Sequence, residues 1–302
     1  MRVHTHARFR THAKLNLFLR VFGLRSDGYH EVETILQAID LHDELEVAAT
    51  EGDVLVDMRF APGRLGELPE PDDNLIHEAA RLLSMNLDRP IGADIKVVKG
   101  IPIGAGLGGG SSNAAGALVI LSELWGMDLE RSDLHELAAR LGSDVAYCID
   151  GGVALATERG EKITQLAAPE VEMWFVIGGM NYPLITRSVY DAWDSLDGGR
   201  PGGPHSAPLA LALGAGDLPE VGTLLHNDLE RAAFSLRPEL EGKKQRMASA
   251  GVLGAGMTGS GPTMFGLTDS EALARAAAAR IEDDFDWVDV LAARSDCIER
   301  LD

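Results

Sequence analysis

The segment IPIGAGLGGGSSNAAGAL, residues 101–118, has the residue types and spacing best suited to chemistry. Six glycines lie between Gly104 and Gly116, and Ser111, Ser112 and Asn113 open a small-residue helix running to Leu124. Without Cβ atoms a backbone approaches an anion closely. The free N–H groups and the dipole at a helix start then favour negative charge. The chemistry implied is a phosphate cradle. A P-loop does not fit, because no Lys follows the glycines. Gly104, Gly106 and Gly109 satisfy GxGxxG, yet that pattern is weak alone and here lacks a clear βαβ unit around it. The plain alternative is a glycine-rich turn that packs a helix on a sheet; the entropy cost of so many clustered glycines weighs against it.

Three further places hold candidate groups. Lys14 and Asn16 lie on an alternating stretch, opposite Leu15 and Leu17. Lys14 is one of only six lysines beside 21 arginines, and a compact cation suits a site shared with phosphate. It is equally one more member of a basic strand face from Arg2 to His12. Asp144 follows Gly142 in a GSD sequence, where a solvated loop aspartate is the ordinary reading. Gly259, Ser260 and Gly261 form a second loop of close backbone approach, with turn chemistry as its alternative. Tyr29 and His30 follow an Asp27–Gly28 turn, and Tyr190 lies in ITRSVYDAWD, where a core position competes with a surface one.

The elements that must position these groups are mixed. The first twenty residues alternate with period two, the pattern of a strand with one buried face. ELEVAA, VLVDMRF and ADIKVVK supply further strands. Asp72 and Asp73 are placed to cap NLIHEAARLLSMNL, and Ser132 to cap DLHELAARL, which Gly142 ends. VALAT, EMWFVIG, TMFGL and WVDVLAA read as later strands, with helices from Pro238 to Ala250 and from Ser270 to Glu282. Residues 197–216 are dense in Gly and Pro at their start and read as a mobile surface loop. A division near residue 167 gives two domains, 1–167 and 168–302. Without strict alternation of strand and helix, the class expected is α+β.

Composition sets the outer limits. The chain has 302 residues with 45% hydrophobic content, enough for a sizeable core. Its 47 acids against 27 Lys plus Arg give a net charge of -20. That argues against a duplex nucleic-acid binder, which needs a basic face, and disfavours an anionic membrane surface. Two cysteines, Cys148 and Cys297, point to a reducing compartment. MRVHTHARFR has no apolar signal-peptide region, and no run approaches a membrane helix. The expectation is a cytoplasmic protein, monomer or homodimer.

The loop from Pro102 to Ser112 resembles the Pro-x-Gly-x-Gly-x-Gly-Gly-Gly-Ser-Ser motif of the GHMP kinases. AKLNLFLRVFGLRSDGYHEVETILQAIDL (13–41), GSDVAYCIDGGVALATERGEKI (142–163) and TGSGPTMFGL (258–267) are similar to the other motifs of this superfamily, and with DDNLIHEAARLL and HNDLE the similarity spans nearly the whole chain. DGYHEVET resembles one branch in particular, the kinases of a cytidine-diphosphate sugar alcohol in non-mevalonate isoprenoid synthesis. Three positions depart from the pattern: His12 and Ala146 stand where proline is usual, and GGMNYPLIT lacks the usual Pro-Gly-Val.

The resemblance implies the GHMP fold, with a ribosomal protein S5 domain 2-like N-terminal domain, a ferredoxin-like C-terminal domain and the site in the cleft between them. It implies ATP and Mg²⁺, with ATP held by Pro102, Gly104, Gly106, Gly108, Gly109, Gly110, Ser111 and Ser112, and Asn74 near the adenine or ribose. Asp144 becomes the general base and Lys14 its electrostatic partner. Asn16, Tyr29, His30, Tyr190, Gly259, Ser260 and Gly261 become acceptor-binding, with the aromatic groups reading cytidine. No carboxylate ligand for Mg²⁺ is evident, and Ser112 is its weak candidate. The rival readings are a homoserine or mevalonate kinase, whose acceptors have no base to stack, and a non-catalytic sensor, which would need neither Lys14 nor Asp144.

Overall fold

The computed structural model describes residues 5–85, 87, 91–197 and 203–302. Arg2, Val3 and His4, which open the alternating stretch, lie outside these residues. Two long strands begin the chain, β1 (His6–Leu24) and β2 (His30–Thr50), paired antiparallel over most of their length. β3 (Val54–Phe60) runs parallel to β4 (Gly92–Lys99), and β4 pairs with β2. Between them lies α1 (Leu75–Ser84). Three helices follow, α2 (Gly109–Leu124), α3 (Arg131–Leu141) and α4 (Ser143–Asp150). β5 (Val153–Glu158) then pairs with β2 and with β6 (Lys162–Gln165).

The second half begins with β7 (Trp174–Gly179), α5 (Thr186–Asp197), α6 (Ala207–Ala215) and α7 (Leu218–Leu224). The short β8 (His226–Asn227) runs parallel to β1 and leads into α8 (Glu230–Leu236) and α9 (Glu239–Ala248). β9 (Gly254–Met257), β10 (Met264–Thr268), α10 (Glu271–Ile281), β11 (Trp287–Arg294) and β12 (Ile298–Arg300) complete the chain. The strands form one mixed sheet whose main path runs β12-β1-β2-β11-β7-β10-β9. β11 pairs with both β2 and β7 and so joins the sheets of the two halves. The mixed α and β content and irregular order match the α+β class.

β1 does not keep one solvated face. From Thr11 to Val21 every residue is buried. The reason is a change of core along the strand. Ala7 and Phe9 pack with α2 and α4, whereas Ala13, Leu15 and Leu17 pack with Phe175, Phe265 and Leu209 of the second half. The register with β2 breaks between His12 and Ala13 and again between Asn16 and Phe18, as bulges that re-aim a strand do. Lys14 and Asn16 therefore stand on a buried face, not on a basic surface.

Several local expectations shift. The cap of α1 is Asn74, whose Oδ1 accepts the Ile76 N–H at 3.0 Å, not Asp72 or Asp73; Asp73 falls in a preceding 3-10 turn, Pro71–Asp73. The cap of α3 is Glu130, in a reciprocal box with Asp133, and Ser132 lies inside the first turn. The expected surface loop at 197–216 is helical over α6, because Leu209 and Leu213 are drawn into the core; residues 198–202 lie outside those described.

Candidate active site

A cavity of about 500 Å³ opens between the halves. Its walls come from β1, the glycine loop and start of α2, the start of α4, the start of α5 and the 259–260 loop. The glycine loop is held from beneath. Asp43, fully buried, accepts the N–H groups of Gly100 and Ile101 at 2.8 Å and pairs with the buried Lys99 ammonium. Gly108 enters α2 with φ +72°, a conformation that costs a side-chain residue energy. No side chain caps this helix. The N–H groups of Gly109, Gly110 and Ser111 precede the first helical bond, from Ser112 N–H to Gly108 O, and a helix start of this kind is an anion site.

The second glycine loop locks onto the first. A Cβ at Gly106 would lie 2.3 Å from Thr258 O, so the two backbones meet only because that side chain is absent. Thr258 Oγ1 donates toward Gly106 O at 3.2 Å and accepts the Asn16 N–H at 3.1 Å. Asn227 Nδ2 donates to Met257 O and Gly259 O at 2.7 and 2.9 Å. Thr186 and Ser260 share a hydroxyl contact at 3.1 Å, tying α5 to the same loop.

Lys14 is at the centre. Its side chain is 4% exposed, and Nζ lies 3.3 Å from Asp144 Oδ2. The same ammonium donates to Asn16 Oδ1 at 2.6 Å and to Gly106 O at 3.1 Å. Three acceptors thus match its three N–H bonds. Asn16 is fixed in turn, its Nδ2 donating to Thr34 Oγ1 at 2.9 Å. Asp144 is not in a loop as expected. It occupies the first turn of α4, which Gly142 separates from α3. Ala146, at the usual proline position, continues that helix inside the core. His12, at the other, donates its backbone N–H to Cys297 O at 2.8 Å, a bond proline could not make.

Most of the expected residues line the cavity: Lys14, Asn16, Asn74, Pro102, Gly104, Gly106, Gly108 to Ser111, Asp144, Tyr190, Gly259 and Ser260. Four do not. Ser112 is buried and its hydroxyl donates to His12 O at 2.7 Å, so it faces β1 and offers nothing to a metal. Gly261 lies behind the loop, against Met257 and Leu184. Tyr29 is 55% exposed and lies under the Arg159 guanidinium, 5.0 Å from ring centroid. His30 stacks on Tyr190 at 4.8 Å between centroids, while its Nε2 bonds Asp194 Oδ1 at 2.9 Å. Of the three aromatic candidates only Tyr190 lines the cavity. Burial, then the Asp144 charge, pushes its phenol pKa above the ordinary value.

Other residues here had not been singled out. Thr34, Lys99, Arg159 and Thr186 line the cavity, and Thr258 and Asn227 brace its loops. Thr258 and Asn227 stood inside the TGSGPTMFGL and HNDLE segments, so their neighbourhood carried a signal. Lys99 and Asp43 carried none, because a buried ion pair 56 residues apart has no sequence spacing to reveal it.

The chain matches the GHMP kinases N terminal domain over residues 74–152 and the GHMP kinases C terminal over residues 209–286. It is 40% identical over 269 residues to the 4-diphosphocytidyl-2-C-methyl-D-erythritol kinase of Pelotomaculum thermopropionicum, covering 89% of this chain and 91% of that protein. It superimposes on a crystal structure of 4-(cytidine 5'-diphospho)-2C-methyl-D-erythritol kinase with a TM-score of 0.74 and 32% identity, covering 95% of this chain and 98% of the other. A homoserine kinase from Cytophaga hutchinsonii shares the fold at a TM-score of 0.75 but only 19% identity, covering 100% of this chain and 99% of the other. The chain therefore belongs to the GHMP kinases and, within them, to the 4-diphosphocytidyl-2-C-methyl-D-erythritol kinase family.

Proposed function

We propose that the protein transfers the γ-phosphoryl group of ATP to the 2-hydroxyl of 4-(cytidine 5'-diphospho)-2-C-methyl-D-erythritol, a step of non-mevalonate isoprenoid synthesis. The observation that carries this reading is the Lys14–Asp144 pair, which lines one cavity together with the glycine-rich start of α2. ATP lies with its phosphates on the N–H groups of Gly109, Gly110 and Ser111. Asp144 accepts the hydroxyl proton as the oxygen attacks phosphorus and the bond from phosphorus to the ADP oxygen breaks. Lys14, 3.3 Å from Asp144, offsets charge on the moving phosphoryl group.

Hard oxygen donors suit Mg²⁺, and Ser111 and Asp144 supply them in the cavity. Ser111 would hold the ion, which would supply positive charge to offset that of the phosphates. Tyr190, propped by His30 and Asp194, offers a ring to the cytosine. Both cysteines are free and buried. No helix among the described residues is long and apolar enough to cross a membrane.

A coupled assay of ADP release tests the reading. The cytidyl acceptor should support turnover, and homoserine and mevalonate should not. Comparable turnover with homoserine, or failure of cytidine diphosphate to compete with the acceptor, would overturn the substrate assignment.

A further inference from the structure

A second convergence of chemically competent side chains lies outside the cavity, where β1 and β2 meet the last two strands. His12 and His42 are cross-strand partners, and the register breaks directly beyond them, with Ala13 pairing Ile39. The break brings Asp40 to the same place. Asp40 Oδ1 lies 3.5 Å from His12 Nδ1 and 3.9 Å from His42 Nδ1. One ligand atom from each residue lies within 4.8 Å of the other two. The His12 side chain is fully buried, and neither its Nδ1 nor that of His42 has a hydrogen-bond partner. Two orphaned ring nitrogens aimed at one carboxylate oxygen need an explanation.

The outer contacts fix the tautomer. His12 Nε2 lies 3.2 Å from Glu299 Oε2, and a carboxylate only accepts. The proton is therefore on Nε2, which leaves the lone pair on Nδ1. A carboxylate behind an imidazole is the usual support of a metal-bound histidine. His42 Nε2 faces Glu44 Oε1 more loosely, at 4.0 Å. Burial first, then the Arg294 charge, lowers the His12 pKa to about 4. Burial and Arg10 lower that of His42.

We propose that His12, Asp40 and His42 form a binding site for one divalent transition-metal ion of the zinc class. Two imidazoles and one carboxylate suit such an ion better than Mg²⁺. Tetrahedral coordination at 2.0–2.1 Å sets ligand atoms about 3.4 Å apart, within small side-chain rotations of the observed triangle. Asp40 is 49% exposed, which gives an ion a way in and leaves a fourth position to water. Arg294 is the competing cation, with one nitrogen 3.5 Å from Asp40 Oδ1. It keeps Asp296 at 2.8 Å and Glu299 at 3.4 Å when the ion takes Asp40.

The full chain, freed of metal by a chelator and without nucleotide, is titrated with Co²⁺ while its visible d–d absorption is recorded, and with Zn²⁺ by calorimetry. The expected result is one ion per chain with the intense spectrum of a four-coordinate cobalt centre. Asp40→Asn and His42→Gln should each weaken binding at least about tenfold, the scale for losing even a supporting group. Their metal-free unfolding midpoints control for folding, and the partly exposed Asp40→Asn serves if His42→Gln fails that control. Absence of stoichiometric uptake by the wild type, or unchanged affinity in a folded Asp40→Asn, would overturn the site.

Discussion

Lys14 Nζ and Asp144 Oδ2 stand 3.3 Å apart, although 130 residues separate them in the chain. The strand carries the cation and a helix start carries the carboxylate, so neither depends on a flexible loop for its place. Asp144→Asn keeps the size and removes the proton acceptor. Turnover should fall by about 10²–10⁴, the range for losing a general base, while ATP affinity changes little. Single-turnover kinetics near the wild-type rate would remove Asp144 from the reaction.

The glycine loop has one position that separates binding from folding. A Cβ at Gly109 would lie 2.8 Å from the Ile101 side chain, so a larger residue there disturbs the loop's own packing. At Gly110, which lines the cavity, a Cβ meets nothing within 4 Å. Gly110→Val should therefore fold as the wild type does and yet bind ATP at least about tenfold more weakly, about 1.4 kcal/mol. Calorimetry with unchanged ATP affinity would leave the loop a packing device.

Tyr190 is the aromatic ring that both lines the cavity and rests on His30. Tyr190→Ala should weaken the cytidyl acceptor by about 1–3 kcal/mol, the worth of one stacked base, and spare ATP. Free cytidine diphosphate, measured as an inhibitor of wild type and variant, reads the loss directly. Equal inhibition of both proteins would assign Tyr190 to the core alone.

Asn227 joins three backbone groups with one side chain, donating to Met257 O and Gly259 O and accepting the Leu229 N–H at 2.9 Å. Asn227→Ala leaves them without that partner in a buried place and should cost about 1–3 kcal/mol of stability. Because Thr258, between Met257 and Gly259, braces Gly106, the ATP dissociation constant should rise as well. Denaturant unfolding and calorimetry on the same variant report the two effects; a stable variant with normal ATP affinity would contradict both.

Short-range signals in the sequence were sufficient for much of this protein. Period-two and helical patterns located strands such as β3 and β4 and helices such as α9 and α10, because side-chain periodicity is a local property of the backbone. The Gly104–Ser111 loop announced anion chemistry for the same reason: missing Cβ atoms and a helix start are adjacent in the chain. What needed the tertiary structure was every relation between distant segments. The full burial of β1 follows from its passing between two cores, which no window of twenty residues reports. The helical state of α6 was decided by where Leu209 and Leu213 pack, against a glycine- and proline-rich lead-in. Lys99 with Asp43, Thr258 with Gly106, and His12 with Asp40 are contacts across strands and loops, and their energy depends on burial and distance that only the folded chain creates.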